Sequence, residues 1–587
     1  MAGIGFQLRT LLSRDSYAGL LGAYGYAGVA SSGPWVVSIG GVLAIGLLAT
    51  GSVEPPIRVT QFLVSITWLM SASLLLTGPL QLLFARFVAD QIYARQNERI
   101  LPNLLAALSI TTFAGGALAS AVVHTAFDES LACRLLLVAN FVVLCDGWLL
   151  LVLLSGVKAY RTVAALFLAA YLASIGGAAV LRPFGLEGLL AGFLIGQAGA
   201  LFGMLALILR AFPGERRLSF DFLDPRQAHY ELAAIGAVFY FGVWADKAAF
   251  WLNPGTSEPV FGPLRYSIIY DLPIFFAYLS AIPAMAAFFL RLEADFADRC
   301  QEFFRCVRDG APLDRLTRVK DGMVGCVRRG LAEIVKVQGV TMVLVFVAGP
   351  AMLRAAGISP LYLRLLYVDT AAVFLQVVFL AVLNVLFYLD QRKAALALSA
   401  LFACGNLVLT LLTQRLGPTW YGYGFAASAL IASATGLPLL SRKLDHLERD
   451  TFMQQPLWPP ARPAPWGKRF RSLVQRRSPV VNTPRALIAI AVVSVVFACG
   501  RGSDPRATSA TSSVAGRQLG LDPLPPPPVG PICEGPACVG DHVESITLGP
   551  VAPPVIPSSP LGPTPPPPLP VPLPSIPAAY GTPCEPR

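Results

Sequence analysis

Residues 132–156 read ACRLLLVANFVVLCDGWLLLVLLSG, a run in which only Arg134 and Asp146 are charged. At about 1.5 Å per helical residue, a run of this length crosses a hydrocarbon core of roughly 30 Å. In lipid such a run becomes a helix, because a helix satisfies its own backbone hydrogen bonds. Further runs of the same kind lie at about 22–50, 59–84, 102–124, 162–180, 185–209, 231–252, 265–290, 338–356, 366–389, 393–413 and 420–440. The chain therefore reads as an all-α polytopic membrane protein of about twelve transmembrane helices.

Composition agrees. Charged residues make up 13% of the chain, about half the usual soluble share of roughly 25%. The net charge of +11 would suit nucleic acid, but the basic residues sit in the loops between apolar runs. There they orient helices in a bilayer, so the lipid bilayer is expected as partner and nucleic acid is not. With the N-terminus in the cytoplasm, cytoplasmic loops hold about 26 Lys and Arg, among them Arg86, Lys158, Arg216, Arg392 and Lys443. Outer loops then hold about seven, including Arg58, Arg134, Arg182 and Arg265. The first fifteen residues carry Arg9, Arg14 and Asp15 among short apolar patches, which reads as an interfacial helix rather than a signal peptide.

The linker 291–337 has two apolar stripes, through Leu292, Phe296, Cys300, Phe303 and Val307 and then through Leu316, Val319, Met323, Val327, Leu331 and Ile334. Gly310 and Pro312 part them, which predicts a cytoplasmic helical hairpin. It is either a solvated hairpin lying on the membrane or a docking platform for partners. The unit 1–455 is followed by a basic, Pro-rich linker (456–484), a short apolar segment (485–500) and a Pro-rich tail (501–587) expected to be disordered. The short segment ends Val496-Phe497-Ala498-Cys499-Gly500, which resembles a lipoprotein signal with Cys499 as the lipidated residue. Two readings stand: a separate small lipoprotein joined in frame, or a thirteenth span carrying an extracytoplasmic arm. Both place the tail in the periplasm, where Cys533 and Cys538 would suit a disulfide.

There is no phosphate-binding GxxxxGK[ST] loop, no HExxH and no GxSxG, and the four histidines are scattered. No enzyme activity, cofactor or metal is expected. What remains is ionisable residues inside spans, each costing about 2.5–3.5 kcal/mol on insertion scales. Asp146 is mid-span. Asp246 and Lys247 lie in GVWADKAAFW (Gly242 to Trp251), and Asp271 in YDLPIFFAYL (Tyr270 to Leu279). Lys247 and Asp271 fall at similar depth, so spans seven and eight are predicted to pair them, while Asp246 points about 100° away from Lys247. The bland alternative is that Lys247 snorkels and the acids glue helices together. The sharper one is an outer vestibule of Asp246, Lys247 and Asp271 with Trp244, Trp251, Tyr266 and Tyr270, whose rings suit sugars or organic cations. In AYGYAGVASSGPW (Ala23 to Trp35), Pro34 is a hinge candidate among residues that also suit close packing.

DSYAGLLGAYGYAGVASSGPWVVSIGG (Asp15 to Gly41), GVWADKAAFW and YDLPIFFAYLSAIPAMAAFFLRLEADF (Tyr270 to Phe296) resemble the PelG family, over roughly residues 1–455. Those proteins are inner-membrane components of the bacterial Pel exopolysaccharide export apparatus. The resemblance implies a bundle akin to the MOP superfamily of flippases and MATE antiporters. It also implies a cytoplasmic glycosyltransferase and membrane subunits of the same complex as partners, and polysaccharide as cargo. It assigns no catalytic residue, and the Pro-rich tail departs from the family. The expected function is polymer translocation across the cytoplasmic membrane; a small-molecule antiporter and a non-conducting scaffold for the synthase are the alternatives.

Overall fold

In the computed structural model the described residues are 17–453, apart from 157–159, 213, 215–217, 226–227 and 356–358. Every apolar run falls on a helix. In order these are α1 (Tyr17–Ala49), α2 (Ile57–Tyr93), α3 (Asn97–Ala126), α4 (Leu131–Gly156), α5 (Tyr160–Leu181), α6 (Gly185–Ala211) and α7 (Tyr230–Leu252). Then come the bent pair α8 (Ile268–Leu279) and α9 (Ile282–Arg308), α10 (Leu313–Ala355), α11 (Leu363–Tyr388), α12 (Arg392–Leu416), α13 (Tyr423–Asp445) and the short α14 (Leu447–Met453). Among the described residues nine helical stretches are long and apolar enough to cross a membrane, ten with the bent pair. One of the nine, Thr162–Ala211, is α5 and α6 folded back on each other at the turn Arg182–Phe184, and α1 is represented there by Val37–Ala49 alone. The chain is a multi-pass helical membrane protein, as its apolar rhythm predicts.

The helices form two lobes, each with its own apolar core. Phe62, Phe84, Phe193 and Phe222 anchor the first, made by α1–α6. Phe250, Phe296, Phe379, Phe402 and Phe425 anchor the second, made by α7–α13. The lobes meet where α2 crosses α7 and α1 meets α9. At the first crossing two glycines allow backbone to touch backbone: a Cβ on Gly236 would lie 2.2 Å from the Gly78 carbonyl oxygen. Small residues let membrane helices approach this closely.

Two connections carry structure of their own. The segment between α7 and α8, which the apolar runs leave unassigned, is an antiparallel hairpin of β1 (Glu258–Phe261) and β2 (Leu264–Tyr266). Its turn needs Gly262 at φ +54, where an L side chain is strained. In the linker 291–337, residues 291–308 continue α9 and residues 313–337 begin α10, so the linker is an extension of both helices, which pack on each other across the turn at Gly310 and Pro312. A π-helical turn, Phe289–Phe296, lies inside α9.

α1 is helical through position 34, but the side chain of Pro34 lies outside the described residues. So do the first fifteen residues, the linker 456–484, the segment 485–500 with Cys499, and the tail 501–587 with Cys533 and Cys538.

Candidate functional site

Asp246 is fully buried in α7, and three donors converge on its carboxylate. Tyr270 Oη donates to Oδ2 at 2.6 Å, Asn406 Nδ2 to Oδ1 at 3.1 Å, and Lys247 Nζ to both oxygens at 3.1 and 3.2 Å. Lys247 was expected to reach Asp271 and to point away from Asp246. Its long flexible stem instead curls back, so that Nζ also donates to the Val243 carbonyl at 3.0 Å and to Tyr278 Oη at 3.3 Å. The expectation followed the Cα–Cβ direction, which does not limit a four-carbon side chain. The ammonium lies over the Tyr278, Phe425 and Trp244 rings, at 4.9, 5.6 and 5.8 Å from their centres. These cation–π contacts replace part of the hydration it gives up.

Asp271 is held by other partners. It sits in the first turn of α8, where free backbone N–H groups favour a carboxylate. The Ser267 N–H donates to it at 3.0 Å, and Trp251 Nε1 donates to both its oxygens at 2.9 and 3.1 Å. Trp251 packs in turn, tilted, against Trp68 of α2 at 4.8 Å and against Trp244 at 5.9 Å. Trp68 belongs to the first lobe, so this aromatic group straddles the lobe boundary. Of the expected vestibule residues, Asp246, Lys247, Trp251 and Tyr270 are buried, and Asp271, Trp244 and Tyr266 are half-buried.

Asp146 lies in the other lobe, apart from this group. It accepts from Thr111 and, at 2.7 Å, from Thr112 Oγ1. Both threonines start a π-helical turn in α3, Thr111–Gly115. The wider turn brings consecutive hydroxyls to one carboxylate, and such turns are frequent at functional positions.

Sequence reasoning passed over Asp369. It is 0% exposed in α11, and neither of its carboxylate oxygens has a hydrogen-bond partner among the described residues. The charges of Asp246 and Lys247 both act on it, and the Gly422 turn before α13 lies against its Oδ1. The signal was available, since an acid inside an apolar run is the feature that singled out Asp146. The run was read as starting at 366, which left Asp369 at its edge.

At the opposite end of the bundle the lobes meet through charge. Arg86 of α2 lies 3.1 Å from Asp90 and 3.6 Å from Asp390, which sits between α11 and α12. Arg392 grips Asp390 with two bonds of 2.8 and 2.7 Å. Burial alone would raise the Asp390 carboxyl, but the Arg392 bonds and the Arg86 charge hold it below its ordinary value. Arg392 Nη1 also reaches His229 Nδ1 at 2.6 Å. A guanidinium can only donate, so the ring is neutral, with its proton on Nε2 facing Asp90 at 4.0 Å. Tyr24 of α1 donates to Glu333 of α10, which Arg291 holds at 2.6 Å.

The comparisons agree with this architecture. A family model described as PelG, putative exopolysaccharide exporter, matches residues 1–452. A MATE transporter solved in a bent conformation is similar at a TM-score of 0.52 and 13% identity, over 73% of this chain and 96% of that one. An outward-facing multidrug-resistance MATE transporter of the MOP superfamily is similar at 0.51 and 13%, over 72% and 96%. Likeness at this identity establishes the fold. No curated protein matches.

Proposed function

The chain belongs to the PelG family of putative exopolysaccharide exporters, and from that premise we propose that it carries a polysaccharide across the bacterial cytoplasmic membrane between its two lobes. The observation that carries this reading is the lobe-straddling group of Trp68, Trp244 and Trp251 with the Asp271 carboxylate beside it. Ring faces suit the C–H faces of sugars, and carboxylates accept their hydroxyls. The distribution of basic residues supports an N-terminus in the cytoplasm, with the β-hairpin outside and the α9–α10 extension inside. That extension is the surface offered to the other subunits of the complex, a cytoplasmic glycosyltransferase among them.

Elongation by the synthase is one driving force. Ion coupling is the other, and Asp369 suits it better than Asp146. Asp146 already has two hydroxyl donors, whereas Asp369 has none among the described residues. A buried charge without a partner costs several kcal/mol, so this is where a proton or small cation would be taken up and released. The test is secreted polysaccharide from cells lacking this gene, complemented with residues 1–455 or with the same unit carrying Asp369→Asn. The first should restore polymer, and the second should restore less at equal protein level. Full secretion without the gene would overturn the export reading; full secretion with Asp369→Asn would remove Asp369 from the mechanism.

A further inference from the structure

The β1–β2 hairpin belongs to one lobe and is seated on the other. Hydrogen bonds tie its base to the end of α7 and hold its two flanks together. Thr256 Oγ1 donates to the Phe250 carbonyl at 2.9 Å and Ser257 Oγ to the Trp251 carbonyl at 2.8 Å. Arg265 donates to the Ser257 hydroxyl and carbonyl at 2.8 and 2.7 Å, and Ser267 Oγ to the Thr256 carbonyl at 2.7 Å. These bonds and the chain itself tether the hairpin's base to the second lobe.

Its outward face packs on the first lobe, chiefly on α2, where Val260, Phe261 and Leu264 all join that lobe's apolar core. Phe261, 3% exposed, joins that lobe's apolar core and meets the Phe127 ring at 5.1 Å, just beyond the end of α3. Gln61 Nε2 donates to the Val260 carbonyl at 3.2 Å, and Trp68 Nε1 to the Arg265 carbonyl at 2.8 Å. At the turn, a Cβ on Gly262 would lie 3.1 Å from the Ala126 carbonyl and 3.0 Å from the Phe127 ring. Glycine is what lets the turn sit down on the end of α3. Directly behind these contacts lies the aromatic group of Trp68 and Trp251 with Asp271.

We propose that this hairpin is a gate: a strap that seals one end of the lobe boundary and opens when Phe261 leaves the first lobe and the Gln61 and Trp68 bonds break. The Gly78–Gly236 crossing lies about 24 Å along α7 from the hairpin end, at 1.5 Å per residue. Close backbone packing there makes it the fulcrum about which the lobes part. A seated hairpin and a polymer threaded between the lobes exclude each other, so the gate stays lifted while polymer passes. This inference rests on the export reading and is tested separately from it.

The test places cysteines at both sides of the seat, Phe127→Cys with Phe261→Cys, in cells lacking the native gene. A short bis-methanethiosulfonate then bridges the pair, and reductant releases it. The expected result is that the bridged protein stops secreting polymer, that reductant restores secretion, and that the reagent leaves either single variant unaffected. Undiminished secretion by bridged protein would overturn the gate while leaving the export reading intact. If wild-type protein itself restores no polymer, the export reading fails instead. Should the pair be inactive even when reduced, single Phe261→Cys decides, by labelling with a membrane-impermeant maleimide. Labelling that rises during polymer synthesis supports the gate, and labelling that is the same with synthesis on or off overturns it.

Discussion

At the hairpin end the lobes meet through a buried phenylalanine, a tilted Trp–Trp pair and two bonds to backbone carbonyls. At the other end they meet through Arg86 and Asp390, 36% and 47% exposed, and a few hydrogen bonds. The two closures differ in strength for a physical reason. Burying a Phe side chain is worth about 1.5–3 kcal/mol, whereas an exposed ion pair is worth about 0–1 kcal/mol, because water and salt already screen it. The lobes should therefore part more readily at the charged end, where a cytoplasmic substrate would enter. The hairpin end should open only when something supplies the difference, such as a polymer pushed from behind or an ion bound within the second lobe.

This asymmetry can be broken from its stronger side. Phe261→Ala removes the buried side chain from the seat, and about 2 kcal/mol of lost burial corresponds to a roughly 30-fold shift toward the parted state. Spin labels at positions 128 and 258, one on each lobe, would show a second, longer distance by pulsed electron resonance. An unchanged single distance would mean that the hairpin is not what holds this end. Trp68→Phe is milder. It keeps the ring against Trp251 and deletes the N–H that reaches the Arg265 carbonyl, for about 1 kcal/mol and a roughly fivefold shift. The same label pair reads it.

The charged end should respond less. Arg86→Ala removes the side chain that bridges Asp90 and Asp390, and the shift should stay below about fivefold and shrink further with salt. Labels at positions 97 and 445 report this end. A larger shift from Arg86→Ala than from Phe261→Ala would invert the comparison, making the ion pair the stronger latch.

How much of this was legible beforehand follows from which interactions are local. The helices were, because span length and apolarity are properties of contiguous sequence. Asp246, Lys247, Asp271 and Asp146 stood out because ionisable groups inside apolar runs are costly. Their partners were not legible. Lys247 bonds its own neighbour because a flexible stem can fold back, and Asp271 is held by the start of its own helix and by Trp251. The hairpin was missed because its strands are only four and three residues long, and what stabilises it, the seat on Phe127 and Gln61, lies more than 130 residues earlier in the chain. Trp68 likewise gains its role only when α2 is laid against α7.

The smallest effect also sharpens the comparison, because the charged end holds a histidine, a side chain whose ordinary value lies near neutrality. Burial and then the charges of Arg392 and Arg86 hold His229 below its ordinary value, against the opposing pull of Asp90 and Asp390. Its bond to Arg392 lies within the second lobe, so what parting of the lobes removes is part of its burial, the leading cause of the lowering. When the lobes part and the ring regains water, it returns toward its ordinary value of about 6.5. The closed state thus binds fewer protons than the open one, and closure weakens as pH falls through about 6.5 toward the depressed value. Above about 6.5 both states are neutral, and this group contributes no pH dependence. The 97–445 label pair should report more of the open state at about pH 5.5 than at about pH 7.5. His229→Gln, whose side-chain oxygen still accepts from Arg392, should flatten the response. A wild-type distance indifferent to pH would show that the ring stays where it is when the lobes part. At the hairpin-end pair His229→Gln should change nothing, because the ring lies at the opposite end of the bundle.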